Sequence, residues 1–375
     1  MTAAQPPLIL ANARTQVFCR RTWCCIRSLG PGSSRFRAPS RMSGIEMIRT
    51  VALAALTLAA PPLAARADCQ MSEILDVPVK LEGTAPIVSV KINGLPARLE
   101  VDSGSYANSL SPTAAKKFSL FFALGGADDA DGADENSGEA QGANGFFRQS
   151  LARAKTLTLS GYDFKNVPFE IGGSDLGDVD GLIGQDLLQV ADIDFDFKAG
   201  VVRFFKPQGC GAQPLAFWAK PDQFFGVVEV RPSDPALRDF TGEAEVNGVK
   251  VRVMFDSGAG ESVLSLAAAR RAGVTPQDPG AVSGGDLGGL GAKKLPTWIA
   301  PVKSFEIGGE KILNTRLRIA QWTGAGRLSS DMLLGGDFFR SHHVFLANSQ
   351  HRIYFTYNGG PVFDLSTGSA AAEAK

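Results

Sequence analysis

The chain has 375 residues, 44% of them hydrophobic and 20% charged, which is enough apolar mass for one large or two moderate domains and too much for a disordered chain. Its formal charge of +0 hides an uneven distribution: residues 1–67 hold nine Arg, no Lys and one acid, leaving 29 basic against 37 acidic residues beyond Ala67. A surface with that acidic excess repels phosphate, which argues against a nucleic-acid partner.

Met47 and Arg49 precede an apolar run that starts at Val51, and Ala65-Arg66-Ala67 supplies an A-x-A cleavage pattern. The pattern predicts a secretory signal over 47–67, with Met47 as the natural start and residues 1–46 as a non-native upstream extension. The Arg-rich, acid-poor character of 1–46 leaves an organellar transit peptide as the alternative. Pro61 and Pro62 interrupt the apolar run well short of the roughly 20 residues a membrane span needs, so no permanent membrane anchor is expected. Cleavage after Ala67 leaves Cys69 and Cys210 of the five cysteines. A lone pair in an exported protein points to a disulfide, with two unpaired buried thiols as the alternative.

Beyond the signal the chain is written twice. "VKINGLPARLEVDSG" aligns without a gap with "AEVNGVKVRVMFDSG", placing Asn93-Gly94 on Asn247-Gly248 and Asp102 on Asp256. "DGLIGQDLL" from Asp180 repeats as "DMLLGGDFF" from Asp331, and each half closes on a further apolar strand, "VVRFF" or "RIYFT". Alternating apolar residues around an Asn-Gly pair predict a hairpin whose second strand runs into Asp-Ser-Gly. Ser111 to Phe118 and Ser265 to Ala272 predict short helices capped by their first serine. Between these landmarks lie an acidic, glycine-rich stretch in the first half and "VSGGDLGGLGAKKLPTW" in the second, both suited to flexible hairpins. The acids of the first lack the oxygen-ligand spacing of a calcium loop.

The expected architecture is all-β, with two homologous barrel-like lobes at 76–206 and 226–360, a Pro- and Gly-rich linker at 207–225, and a flexible tail at 361–375. His342, His343 and His351 are the only histidines, and their spacing does not suit zinc, so they are expected to face solvent. No serine-hydrolase elbow, phosphate loop or Cys-x-x-Cys is present.

Asp-Ser-Gly followed downstream by an apolar pair and Gly, twice in one chain, resembles the aspartic proteases of the pepsin and retropepsin type. The resemblance covers most of the chain beyond the signal. It implies an acid-protease fold with a pseudo-twofold axis, and a cleft that takes a peptide or protein substrate in an extended conformation. It also implies catalytic roles for Asp102 and Asp256. Ser103 and Ser257 would bond across the axis, while Gly104, Gly258, Gly184 and Gly335 would give the loops room. Two carboxyls held together share one proton, so one can activate a water while the other protonates a carbonyl, with neither metal nor cofactor required. A Ser105 hydroxyl donated to Asp102 would leave Asp256 as the proton carrier. Phe146, Phe147 and Trp298 are candidates for a residue closing over the substrate. The expected function is an exported, periplasmic or secreted endopeptidase; the alternative is a non-catalytic peptide-binding or scaffold protein on the same fold.

Overall fold

The computed structural model describes residues 69–120, 137–142, 145–231, 239–288, 294–322, 330–363 and 365. The predicted signal and upstream extension lie outside these residues, as do most of the acidic stretch and most of the tail.

Each half of the duplication folds into a closed six-stranded barrel. In the first, the sheet runs Ala85–Ile92, Leu95–Val101, Gly181–Ile183, Ser109–Leu110, Tyr162–Gly172 and Gly145–Leu159. It closes where Val90 to Ile92 pair with Leu159 to Leu157. The second repeats the order with Thr241–Val246, Val249–Phe255, Met332–Leu334, Val263–Ser265, Glu310–Ala320 and Leu295–Ile307, closing through Ala244↔Ile307 to Val246↔Phe305. Closure removes the unpaired edges that an open sheet would expose.

Local sequence explains the turns and caps. Asn93 and Gly94 have φ of 51° and 85°, and Asn247 and Gly248 have 51° and 77°. This is the doubly left-handed turn that a two-residue hairpin needs and that Asn-Gly tolerates best. Ser111 accepts from Ala114 N at 3.1 Å to cap the helix Pro112–Lys117, and Ser265 accepts from Ala268 N at 3.2 Å to cap Leu266–Arg271. Both glycine-rich stretches form hairpin arms: Ser137–Gly142 pairs with the strand beginning at Gly145, and Val282–Leu287 pairs with the strand beginning at Leu295.

The closing strands of the two halves do not join their own barrels. They build a third, six-stranded sheet in the order Gln70–Pro78, Val201–Gln208, Asp192–Asp196, His342–Ala347, Arg352–Tyr357, Gly226–Glu229. The halves meet at its centre, where Ile193 to Phe195 pair antiparallel with Leu346 to Val344. This shared sheet fixes one lobe against the other with main-chain hydrogen bonds. A disulfide between Cys69 and Cys210 fastens its outer strands, which pair from Gln70↔Gln208 onward. By restricting an unfolded loop of 141 residues, it contributes about 5 kcal/mol in a chain-entropy model.

The same sheet corrects the expectation for the histidines. His342 and His343 are buried, and their adjacency on a strand sends them to opposite faces. His342 stacks on Phe338 and pairs with Glu310 through Nε2 at 3.0 Å. His343 stacks on Trp218 and meets the fully buried Asp194 at 2.5 Å, while Arg203 Nη1 reaches the other oxygen of that carboxylate at 2.9 Å. A carboxylate in this position needs such partners to offset its desolvation. Only His351, in a turn, is exposed. No helix of the described residues is long and apolar enough to cross a membrane.

Candidate active site

Asp102 follows directly on the strand Leu95–Val101, and Asp256 follows on Val249–Phe255. Each strand pairs parallel with the short strand of the apolar pair: Val101 lies opposite Ile183, and Phe255 opposite Leu334. The aspartate amides continue the ladder, Asp102 N donating to Ile183 O at 2.9 Å and Asp256 N to Leu334 O at 3.0 Å. The chain then turns at Ser103-Gly104 and at Ser257-Gly258.

Gly184 and Gly335 end those short strands against the turns. A Cβ at Gly184 would overlap the Ala107 and Ser105 carbonyls, and one at Gly335 would strike the Glu261 and Ala259 carbonyls. The expected need for glycine at both is therefore a matter of space. Gly104 and Gly258 obey the same rule for a different neighbour. Neither has a left-handed φ, but a Cβ on Gly104 would land on the Asp256 carboxyl and one on Gly258 on the Asp102 carboxyl. The constraint there is close approach of the opposite aspartate rather than the turn itself.

The serines of the two loops bond to each other. Ser103 N donates to Ser257 Oγ at 3.0 Å and Ser257 N to Ser103 Oγ at 2.9 Å. Each hydroxyl donates onward, Ser103 to Phe255 O at 2.8 Å and Ser257 to Val101 O at 2.6 Å. Both serines are buried, so every donor and acceptor in this ring must find its partner here.

Four amides cradle the carboxyls symmetrically. Asp102 Oδ1 accepts from Gly104 N at 2.9 Å and Ser105 N at 3.0 Å; Asp256 Oδ1 accepts from Gly258 N at 3.1 Å and Ala259 N at 3.0 Å. Each carboxyl lies against the glycine of the opposite loop, Asp256 at Gly104 and Asp102 at Gly258, which brings the two acids together at the axis. Burial pushes the Asp102 carboxyl well above the usual carboxylate range, with further upward pressure from the charges of Asp256 and Glu100. Burial raises Asp256 too, but the hydrogen bond from Asp102 and the amides of Ala259 and Gly258 work against it. Burial thus biases both carboxyls toward the protonated form, and a singly protonated pair relieves the repulsion between them.

The premise of the expectation built on Ser105 is not met. Its hydroxyl donates to Ala107 O at 2.8 Å and leaves the support of Asp102 to its amide, which Ala259 matches without a hydroxyl. The halves do differ at Glu100, two residues before Asp102. Sequence comparison of the halves already contained the signal, since the counterpart of Glu100 is Met254.

A second shared device was also hidden. In the first lobe Asn108 Oδ1 accepts from Gly184 N at 3.0 Å, and Asn108 N donates to Asp186 at 3.3 Å. In the second, Ser262 Oγ accepts from Gly335 N at 2.9 Å, and Ser262 N and Oγ donate to Asp337 Oδ1 at 2.9 and 2.6 Å. Each tie pins a turn to the short helix behind it. Among the candidates for a covering residue, Trp298 is half-buried against the core, and the side chains of Phe146 and Phe147 lie outside the described set.

Two barrels joined by a common sheet, with one aspartate from each at the axis, define an acid-protease fold. A profile of the family described as Aspartyl protease matches residues 88–187 and 242–338, one stretch in each lobe and together more than half of the chain. The chain belongs to this family. No curated protein matches it in sequence.

Asp337 yields a test of the lobe's electrostatics. It is fully buried, its Oδ2 has no hydrogen-bond partner among the described residues, and burial pushes it up to about 7. Because the folded protein holds this proton more tightly than the unfolded chain does, the carboxyl favours folding at low pH. That contribution disappears as pH rises from about 4, the ordinary aspartate value, through about 7. Asp337→Asn keeps the acceptor for Ser262 and removes the titration. Thermal unfolding across this range should show a shallower loss of stability in the variant than in the parent chain, and equal slopes would count against the assignment.

Proposed function

We propose that this protein is an exported aspartic endopeptidase that hydrolyses peptide bonds with a water activated by Asp102 and Asp256. The observation that supports this reading is the meeting of two buried carboxyls, one from each lobe, each set against the glycine of the opposite Asp-Ser-Gly loop, where one proton is favoured over two charges. One carboxylate cannot accept and donate a proton at once, whereas a singly protonated pair can. Asp256 removes a proton from a water placed between the carboxyls, and that water adds to the carbonyl carbon of the scissile bond. Asp102 gives its proton to the carbonyl oxygen, so a neutral gem-diol forms. As the C–N bond breaks, the proton held by Asp256 passes to the amine nitrogen, and a diol hydroxyl returns one to Asp102. Protons and charge balance, and the dyad ends as it began.

The cross-axis serine ring serves positioning: it holds two like-charged groups where one water can reach both. The chain divides in this reading into lobes at 76–206 and 226–360, a connector at 207–225 and a tail at 361–375. The signal pattern at 47–67 and the disulfide both support export to an oxidising compartment.

Asp102→Asn and Asp256→Asn should each cut turnover of a mixed peptide library by at least roughly a hundredfold while leaving thermal unfolding in place. Full cleavage by both variants would rule out the dyad, and a parent chain that binds extended peptides without cleaving them would establish a binding protein on this fold. Export has its own check. Mass spectrometry of the protein expressed with its natural leader should find a mature chain starting at Asp68, and a peptide from 1–46 in the mature product would contradict the assigned signal.

A further inference from the structure

The strand that leads into Asp102 carries a third carboxyl, which the mechanism above does not use. Glu100 is the third. It lies two residues before Asp102 on Leu95–Val101, so strand alternation points both side chains to one face while Ala97, Leu99 and Val101 fill the barrel core on the other. Its register opposite Leu182, one residue before the Val101–Ile183 pair that leads into Asp102, keeps it beside the Asp-Ser-Gly turn. Solvent still reaches it, since the residue is only half-buried.

Its surroundings lack a countercharge. Arg98, the nearest cation on the same face of the strand, is already committed to Glu82 Oε2 at 2.5 Å and to Asp178 O at 3.3 Å. No other Lys, Arg or His of the described residues forms an ion pair with Glu100. The equivalent position in the second lobe is Met254, 1% exposed, so the fold itself is satisfied by an apolar side chain there. Placing a carboxyl at that point raises the cost of the site: burial and the Asp256 charge push Glu100 up to about 8. A group that is costly to the fold, adjacent to the reacting carboxyls and open to solvent is placed to meet something that arrives from outside.

We propose that Glu100 is a specificity-determining residue that receives the cationic side chain, lysine or arginine, of a substrate residue flanking the scissile bond. The proposal rests on the proteolytic reading above and deepens it by naming a substrate class. An ammonium or guanidinium group beside Glu100 supplies the positive charge that the described residues do not, and draws the carboxyl into its ionised form. An apolar side chain of the same length would bury the carboxyl without a partner, a loss that a site built for a polar contact discriminates against strongly.

The test uses peptides of one sequence in which a single lysine is moved through the positions on either side of the cleaved bond, each paired with a norleucine counterpart of equal length. At one flanking position the parent chain should prefer lysine by at least about tenfold in kcat/KM. Glu100→Gln, close in shape, and Glu100→Met, which copies the second lobe, should bring that ratio close to one. Cleavage with no lysine preference at any position, or a preference that survives in both variants, overturns the proposal and leaves the proteolytic reading intact. The same pairs made as uncleavable statine peptides give a readout free of turnover. A tenfold lysine preference in Kd that vanishes in both variants sustains the proposal even if no peptide is cleaved, in which case the proteolytic reading alone falls. Equal Kd values for lysine and norleucine peptides at every position would overturn it.

Discussion

Two carboxyl groups repel unless something holds them together, and in this protein that work falls to the ring of hydrogen bonds between Ser103 and Ser257. Each bond contributes about 1 kcal/mol net, but a buried donor or acceptor left unpaired costs about 1–3 kcal/mol, so the ring resists partial opening. Its geometry determines much of the surrounding chain. The loops must approach closely, which leaves no room for a Cβ at Gly104 or Gly258, and they must turn off their strands, which leaves none at Gly184 or Gly335. The common six-stranded sheet carries the same constraint over a longer distance by fixing the lobes through Ile193, Asp194 and Phe195. The acids, glycines and serines of the two motifs thus form one mechanical unit spread over two halves of the sequence.

That unit is close to symmetric in hydrogen bonds and unsymmetric in charge. Both aspartates accept two amides at nearly equal distances, so the amide cradle cannot decide which one keeps the proton. The lobes differ in one carboxyl on the strand that leads into the aspartate: Glu100 in the first, Met254 in the second. Duplication thus supplies a scaffold in which both acids are presented alike, while the strands that lead into them diverge at one position. In the proposal above, the same divergence places a carboxyl where a cationic substrate side chain would lie.

Much of this was legible in the sequence because it is locally encoded. The Asn-Gly turns, the serine caps and the alternating strands depend on residues within a few positions of one another, and the duplication doubled each signal. The aspartate pair was legible for the same reason. What escaped depends on distance in the chain. The closing strands read as parts of their own halves, because nothing in "VVRFF" or "RIYFT" states that Asp192–Asp196 will pair across to His342–Ala347. Once they do, His342 and His343 are covered, and a histidine expected at the surface becomes a buried partner of Asp194 or Glu310. Ser105 misled because a hydroxyl beside an aspartate has two acceptors within reach, and only the fold shows that the Ala107 carbonyl takes it. Glu100 sat in the quoted motif itself, yet its meaning depends on Asp256, 156 residues further along the chain.

The claim on which all of this turns is that the two lobes bring Asp102 and Asp256 into contact around one proton. Neutron diffraction from deuterium-exchanged crystals at mildly acidic pH observes that proton directly. The account predicts a single deuteron on Asp102, directed at an Asp256 carboxylate whose Oδ1 faces the amides of Gly258 and Ala259. Two bare carboxylates, or carboxyls too far apart for one water to touch both, would contradict it.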